Sequence, residues 1–166
     1  MRKRISWPAI FVLIAAIFLS CKQDAVPPVE AIDEAGFQQL LQQRNGKILF
    51  LNVWATWCLP CREEFPALIK LAETYKDSNV EIVGISADFP DEVDSKILPF
   101  LQEQQANFKN YVRNFSDDEA FINTINPEWS GALPVTVIYD PEGNQKVFHL
   151  GEGDFQTFQE QIESVR

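Results

Sequence analysis

Two cysteines separated by two residues are the side chains of this sequence best suited to chemistry. Cys58 and Cys61 lie in the segment WATWCLPCREEFP, which covers residues 54–66. Such a pair can hold a metal ion, cross-link the fold, or exchange electrons as a dithiol and a disulfide. The residues around the pair favour one of these three roles.

The first two roles are disfavoured by what the sequence supplies. A structural zinc site takes four cysteine or histidine ligands, and beyond Cys21 the chain offers two cysteines and one histidine, His149. Covalent haem attachment needs a histidine directly after the second cysteine, where Arg62 stands. A disulfide stabilises a fold more when it closes a longer loop, and this pair encloses only two residues. We therefore expect redox chemistry, with no metal and no cofactor.

The flanking segments place Cys58 at the start of a helix. The run KILFLNVWA (47–55) is almost wholly apolar, as in a strand buried on both faces of a sheet. Apolar residues then recur at helical spacing from Pro60 to about residue 75, and proline suits a first helical turn. Free N–H groups at a helix N-terminus favour the reactive thiolate. This predicts Cys58 as the nucleophile and Cys61, one turn later, as the resolving thiol.

The rest of the chain predicts an α/β sandwich with a mixed central sheet. Asp33 caps an amphipathic helix, and VEIVGISA (80–87) is a second buried strand that completes a βαβ unit. Residues 88–130 predict a helix, a short strand in KNYVRN and a short helix with an acidic first turn. LPVTVIYD and QKVFHLGE, joined by PEGN, predict an antiparallel hairpin before a closing helix.

The composition fits one compact domain and excludes nucleic acid as a partner. The chain has 166 residues, of which 46% are hydrophobic, and a formal net charge of −10. Binding to phosphates needs clustered Lys and Arg, and the sequence contains no glycine-rich phosphate loop. We expect a monomer.

The segment WCLPC resembles a thioredoxin-like active site, with Pro66 in the helix and ALPVTVIYD about seventy residues later. More narrowly, FLNVWATWCLPCREEFP resembles the TlpA/ResA-type membrane-tethered thiol–disulfide oxidoreductases. These share the pattern N-x-W-A-x-W-C-x-P-C, an acidic residue three positions after the second cysteine, and an αβ insert. The resemblance covers about residues 33–166. It implies a thioredoxin-like three-layer α/β/α sandwich, with residues 88–130 as the insert between the βαβ and ββα halves.

The resemblance also implies an acid–base group near the thiols. Glu64 stands at the acidic position of the family, on the same side of the helix as Cys61, where it can accept that thiol's proton. The alternative is a glutamate that only complements the helix dipole, as expected of Glu63. Asn52 occupies the position at which thioredoxins carry a buried aspartate, and we interpret it as an ordinary hydrogen-bonded residue of a core strand.

A client-binding surface is predicted beside the cysteines. The resemblance makes Pro134 a cis residue that presents the backbone of Leu133 to an extended client segment. Trp57 and Pro60 complete this surface, whereas Trp54 is expected in the core. Trp129 is expected to border the same groove, and His149 is expected to have no chemical role.

The first twenty residues predict a signal peptide. Arg2 to Arg4 precede an apolar run at 9–19, which is about half the length of a spanning helix. The ending FLSC resembles the lipobox of bacterial lipoproteins. We expect residues 1–20 to be a lipoprotein signal peptide and residues 21–32 to be the lipidated Cys21 and a flexible tether. An uncleaved signal anchor and an incidental thiol at Cys21 are the alternatives, and each places the domain outside the cytoplasm, facing the periplasm.

The direction of electron flow is predicted from the charges near the cysteines. Leu59 and Pro60 supply no positive charge, while Glu63 and Glu64 add negative charge, which disfavours the thiolate and favours a reductant. A reductant in an oxidising compartment needs a membrane-embedded thiol donor. The resemblance suggests oxidised client proteins, such as apocytochrome c, as substrates. An oxidase or isomerase of the same fold and a non-catalytic thioredoxin-like binding module are the alternatives.

Overall fold

A six-stranded mixed sheet forms the centre of the computed structural model, which describes residues 26–166. The strands are β1 (Glu30–Ile32), β2 (Ile48–Trp54), β3 (Val80–Ser86), β4 (Lys109–Arg113), β5 (Val135–Tyr139) and β6 (Gln145–Leu150). Their order across the sheet is β1-β4-β3-β2-β5-β6. Strands β1 to β4 are mutually parallel, whereas β5 is antiparallel to β2 and β6 is antiparallel to β5. The predicted mixed sheet, βαβ unit and hairpin are confirmed.

Helices cover both faces of this sheet. They are α1 (Glu34–Gln42), α2 (Leu59–Tyr75), α3 (Leu98–Gln104), α4 (Asp118–Ile125) and α5 (Phe155–Glu163). Strand β2 is buried along its whole length, because alternate side chains enter different cores. Phe50 packs in the core built by α2, α3 and α5, while Leu51 packs in the core built by α1 and α4. The predicted three-layer α/β/α sandwich is confirmed.

The predicted flexible tether at residues 21–32 is wrong for its last part. Glu30–Ile32 pair with Tyr111–Arg113 of β4, and Val26 and Val29 pack against the core on the α2 side. Three residues are too few to show the alternating pattern of a strand, which is why the sequence did not predict β1. The strand forms because the edge of β4 offers its backbone hydrogen-bonding partners. The predicted signal peptide, Cys21 and the start of the tether lie outside the described residues. Within residues 26–166, no helix combines the length and the apolar character that crossing a membrane requires.

Residues 88–130 contain the predicted short strand and the predicted acidic helix. They form a 3-10 turn (Pro90–Glu92), a π-helical turn (Val93–Ile97), α3, β4 and α4. Pro99 lies in the first turn of α3, which continues directly from this π-helical turn. Strand β4 is inserted between β1 and β3, so this segment widens the sheet. Its equivalence to the family insert stays a prediction.

Candidate active site

A disulfide joins Cys58 and Cys61 at the start of α2. Cys58 is the N-cap of the helix, and its Sγ accepts a hydrogen bond from the backbone N–H of Cys61 at 3.3 Å. Cys61 is fully buried, while Cys58 retains slight exposure. The helix N-terminus predicted for this pair is therefore present. The slight exposure of Cys58 agrees with its predicted role as nucleophile, because an incoming disulfide must reach that sulfur.

The turn that leads from β2 to Cys58 is held by a buried carboxylate, Asp88. One of its oxygens accepts a hydrogen bond from the Thr56 hydroxyl at 2.7 Å. The other oxygen accepts hydrogen bonds from the Thr56 backbone N–H at 2.8 Å and from the Ser86 hydroxyl at 2.6 Å. Sequence reasoning missed this contact. The available signal was that Asp88 follows the carboxyl end of β3, the parallel neighbour of β2, so both strand ends meet at one edge of the sheet.

Glu64 is buried, in contrast to its exposed neighbour Glu63. Its Oε1 accepts a hydrogen bond from Asn52 Nδ2 at 2.8 Å, and its Oε2 accepts one from the Gly153 backbone N–H at 3.1 Å. Burial raises the pKa of Glu64 to about 7, against the two hydrogen bonds, which lower it, while the charge of Glu152 adds a smaller upward effect. Near neutral pH this carboxyl exists in both protonation states, as a proton acceptor and donor must.

Asn52 is hydrogen-bonded in the core, as predicted, but its partners connect it to the site. Besides Glu64, its Nδ2 donates to the Thr136 hydroxyl at 3.1 Å, directly across the β2–β5 pairing. The sequence contained a signal for this contact. Asn52 lies two residues from Phe50 and from Trp54, which face α2, so its side chain must face the same helix.

A cavity of about 710 Å³ opens beside Glu64 on the side of α5. The backbone of Gly153 and the side chains of His149, Lys70 and Phe155 contribute to its wall. His149 is hydrogen-bonded by its two ring nitrogens to Glu152 O and to Gln161 Nε2. The cavity therefore gives a buried carboxyl access to solvent.

Two of the four predicted client-binding residues line a groove of about 240 Å³, whereas Pro60 and Pro134 are not part of its lining. Its lining includes Trp57, Leu133 and Trp129, and the Leu133–Pro134 peptide bond is cis, as predicted. Trp57 is 68% exposed, whereas Trp129 is buried and donates its Nε1–H to Ala132 O at 2.8 Å. Pro134 O accepts a hydrogen bond from the backbone N–H of Gly151, the residue that follows β6. Trp129 thus borders this groove, as predicted, and its binding role stays a prediction.

Two further predicted residues are accounted for by this geometry. Pro60 is half-buried in the first turn of α2, and Trp54 is fully buried with its Nε1–H donated to Asn110 Oδ1 at 3.0 Å.

The fold and the site together define a class of protein. A Cys-x-x-Cys disulfide lies at the N-terminus of the helix that follows a central strand, and the three-layer sandwich ends with a β-hairpin and a helix. That class is the thioredoxin-like thiol–disulfide oxidoreductases.

Residues 23–147 match the AhpC/TSA family, and the chain belongs to that family. It is 31% identical over 126 residues to the thiol-disulfide oxidoreductase ResA of Bacillus thuringiensis (strain Al Hakam), covering 76% of this chain and 68% of that protein. It is 31% identical over 117 residues to the thioredoxin-like protein YneN of Bacillus subtilis, covering 70% and 64%. These relatives confirm the resemblance to ResA-type proteins.

The fold agrees with solved structures of thioredoxin-related proteins. A thioredoxin-related protein from Neisseria meningitidis serogroup B superposes with a TM-score of 0.64 at 28% identity, covering 75% of this chain and 89% of that one. A thiol:disulfide interchange protein of the thioredoxin family from Chlorobium tepidum superposes with a TM-score of 0.62 at 21% identity, covering 74% and 81%. The thioredoxin-like fold class predicted from the sequence is confirmed.

Proposed function

We propose that this oxidoreductase works as a reductant of disulfides in client proteins outside the cytoplasm. The observation that carries the proposal is the buried Cys58–Cys61 disulfide at a helix N-terminus, one turn before the buried carboxyl of Glu64. The charges near the pair support the direction, because Glu63 and Glu64 disfavour a thiolate and Leu59 and Pro60 supply no positive charge. A less stable thiolate makes the dithiol a better electron donor.

The reaction follows from these groups. The Cys58 thiolate attacks one sulfur of a client disulfide, the client S–S bond breaks, and the leaving client thiolate takes up a proton. Cys61 then gives its proton to the Glu64 carboxylate, and its sulfur attacks Cys58 in the mixed disulfide. The second client thiolate leaves and is protonated. Two electrons thus pass to the client together with two protons. One proton comes from Cys61 by way of Glu64, and the other comes from solvent, which took up the Cys58 proton when its thiolate formed. The Cys58–Cys61 disulfide is the product.

The client is proposed to bind across the groove beside the disulfide. The half-buried Leu133 can offer backbone groups to an extended client segment, which would be a short β-strand addition next to the buried Pro134. Trp57 supplies an exposed aromatic surface for an apolar client side chain. Oxidised polypeptides such as apocytochrome c are the proposed clients, since the ResA relatives are thiol-disulfide oxidoreductases.

The location rests on the N-terminal sequence. We propose that residues 1–20 direct export, that lipid on Cys21 anchors the domain to a membrane facing the periplasm, and that a membrane-embedded thiol donor reduces Cys58–Cys61 again. Labelled palmitate should then appear on the wild-type chain and not on a Cys21→Ser variant. A Cys21→Ser variant that still carries the label would remove the argument for this anchor.

The reduction potential of the Cys58–Cys61 couple tests the direction of electron flow. We expect equilibration against glutathione or dithiothreitol buffers to give a value at or below about −200 mV, in the range of thioredoxin and glutaredoxin. A value near −120 mV, which is roughly that of a strong oxidant, would make the protein a disulfide-forming enzyme instead. The cysteines would keep their roles in either case.

A further inference from the structure

The amide of Asn52 forms a contact that the proposed reaction has not yet used. We propose that Asn52 is the positioning residue of the Glu64 carboxyl, and that its amide serves both protonation states of that group. This inference rests on the proposed function, in which Glu64 accepts the proton of Cys61. It concerns how a buried carboxyl can gain and lose a proton while it stays hydrogen-bonded.

The observed geometry suits the ionised carboxylate. The two hydrogens of Asn52 Nδ2 are both donated, one to Glu64 Oε1 at 2.8 Å and one to the Thr136 hydroxyl at 3.1 Å. The Gly153 backbone N–H donates to the other carboxylate oxygen at 3.1 Å. Each oxygen of Glu64 therefore faces one N–H donor, and hydrogen bonds to a charged group are stronger than those to a neutral one.

The protonated carboxyl needs the opposite partner. Its new O–H is a donor, and both groups hydrogen-bonded to Glu64 in the structure are donors as well. Rotating the Asn52 amide by half a turn brings Oδ1 to this O–H and also to the Thr136 hydroxyl, which can donate as well as accept. Among the described residues, Oδ1 is buried and has no hydrogen-bond partner. The rotation therefore exchanges the two hydrogen bonds donated by Nδ2 for two accepted by Oδ1, and it leaves the N–H groups of Nδ2 where Oδ1 lay.

An asparagine is required for this exchange of partners. An aspartate at position 52 has no N–H and would compete with Glu64 for one proton, because two adjacent buried carboxylates repel each other. A leucine there would leave Glu64 without the partner on its Oε1. The proton that Glu64 takes from Cys61, as an S–H bond breaks and an O–H bond forms, leaves through the cavity on the α5 side or passes to the client thiolate.

Charged groups on three sides face the Glu64 carboxyl or its cavity. They are Glu63 and Lys70 on α2, His149 on β6, and Glu152 and Asp154 in the loop before α5. Of these, Glu152 raises the pKa of Glu64. The test must therefore follow the carboxyl of Glu64 and the amide of Asn52 individually, since an overall pH profile would mix their effects with those of the neighbouring groups.

The experiment uses NMR on the oxidised full-length chain in detergent micelles, in which no thiol titrates at the site. The ¹³C shift of the Glu64 carboxyl and the ¹H–¹⁵N signals of the Asn52 side-chain amide are followed between about pH 5 and pH 9, which spans the pKa of about 7. We expect both groups to change with the same midpoint. In Asn52→Leu the Glu64 midpoint should rise by about one pKa unit, because the hydrogen bond that the carboxylate loses is stronger than the one that the protonated carboxyl loses.

Two threonine variants provide the second test and its control. Thr136→Val removes only the hydroxyl that holds the second Asn52 N–H, so the Glu64 midpoint should rise in the same direction by a smaller amount. Thr74→Val removes a hydroxyl from the exposed end of α2, where it donates to Lys70 O, and should leave the midpoint unchanged. If Asn52→Leu does not fold, the Thr136→Val result decides.

Two results would overturn the proposal. One is an Asn52 side-chain amide whose signals stay constant while Glu64 titrates. The other is a Glu64 midpoint that is the same in Asn52→Leu, Thr136→Val and the wild type. The oxidised protein performs no exchange in this experiment. A failure of the proposed function would instead appear separately, as a wild-type dithiol that does not reduce a protein disulfide.

Discussion

Replacing Glu64 by glutamine should make the protein's stability less dependent on pH near neutrality. A carboxyl whose pKa is raised by folding keeps its proton in the folded state over a range in which the unfolded chain has lost it. Unfolding then releases a proton, so the free energy of unfolding falls as the pH rises. For Glu64 this pH range runs from about 4.5, the ordinary pKa of the group, to about 7, its pKa in the folded state. A glutamine has no proton to release and removes this slope.

The size of the effect follows from the same two values. The rise in the pKa of Glu64 from 4.5 to about 7 corresponds to about 3 kcal/mol, because one pKa unit is worth about 1.4 kcal/mol. Most of this difference, about 2 to 3 kcal/mol, should develop between pH 5 and pH 8. Glutamine can accept a hydrogen bond from only one of the two N–H donors that face Glu64. This lowers the free energy of unfolding of the variant by an amount that does not depend on pH.

Urea unfolding of the oxidised wild type and of Glu64→Gln at several pH values between 5 and 8 measures this quantity. We expect the variant to gain about 2 to 3 kcal/mol relative to the wild type across the series. Glu63→Gln is the matched control, because that side chain is exposed, and its difference from the wild type should stay constant. A constant difference for Glu64→Gln as well would refute the argument that burial raises the pKa of this carboxyl.

Three further variants test other contacts of the site. Cys61→Ser should accumulate a mixed disulfide between Cys58 and its client on non-reducing gels; turnover that persists without Cys58 would contradict its role as nucleophile. Trp57→Ala should raise the KM for a protein client about fivefold or more while reduction of a small disulfide is unchanged, and equal loss for both substrates would remove its docking role. Asp88→Asn should lower the free energy of unfolding by about 2 kcal/mol, because the amide nitrogen of the new asparagine would face a hydrogen-bond donor of Thr56 or Ser86. An unchanged midpoint of urea unfolding would show that other contacts stabilise the turn.

The parts of the fold that sequence reasoning predicts well are those with strong local patterns. The apolar run of β2, the helical spacing in α2 and the short turn between β5 and β6 each determine their element within a few residues. The resemblance of ALPVTVIYD to the corresponding strand of the thioredoxin family also implied the cis bond before Pro134, which the structure contains. These features depend on neighbours in sequence, so they are visible without a structure.

The contacts that sequence reasoning missed join residues from different elements. Asn52 and Glu64 are twelve positions apart and meet only because β2 and α2 pack together. Asp88 reaches Thr56 across 32 positions. Strand β1 has too short a pattern of its own and exists through β4. In each case the determining fact is which side chains the tertiary packing brings within hydrogen-bonding distance.

The edge strand β1 also restricts how far the domain can travel from an anchored Cys21. Since residue 26 already packs on the core, only five peptide steps separate it from Cys21, and a fully extended chain spans at most about 18 Å over that length. Strand β1 runs parallel to the strands beside it, towards the edge of the sheet that carries the disulfide. With lipid on Cys21, the short segment between Cys21 and residue 26 would connect the membrane to the end of the sheet opposite the disulfide. The disulfide would then face away from the bilayer. A membrane donor would then need thiols that project well beyond the lipid headgroups.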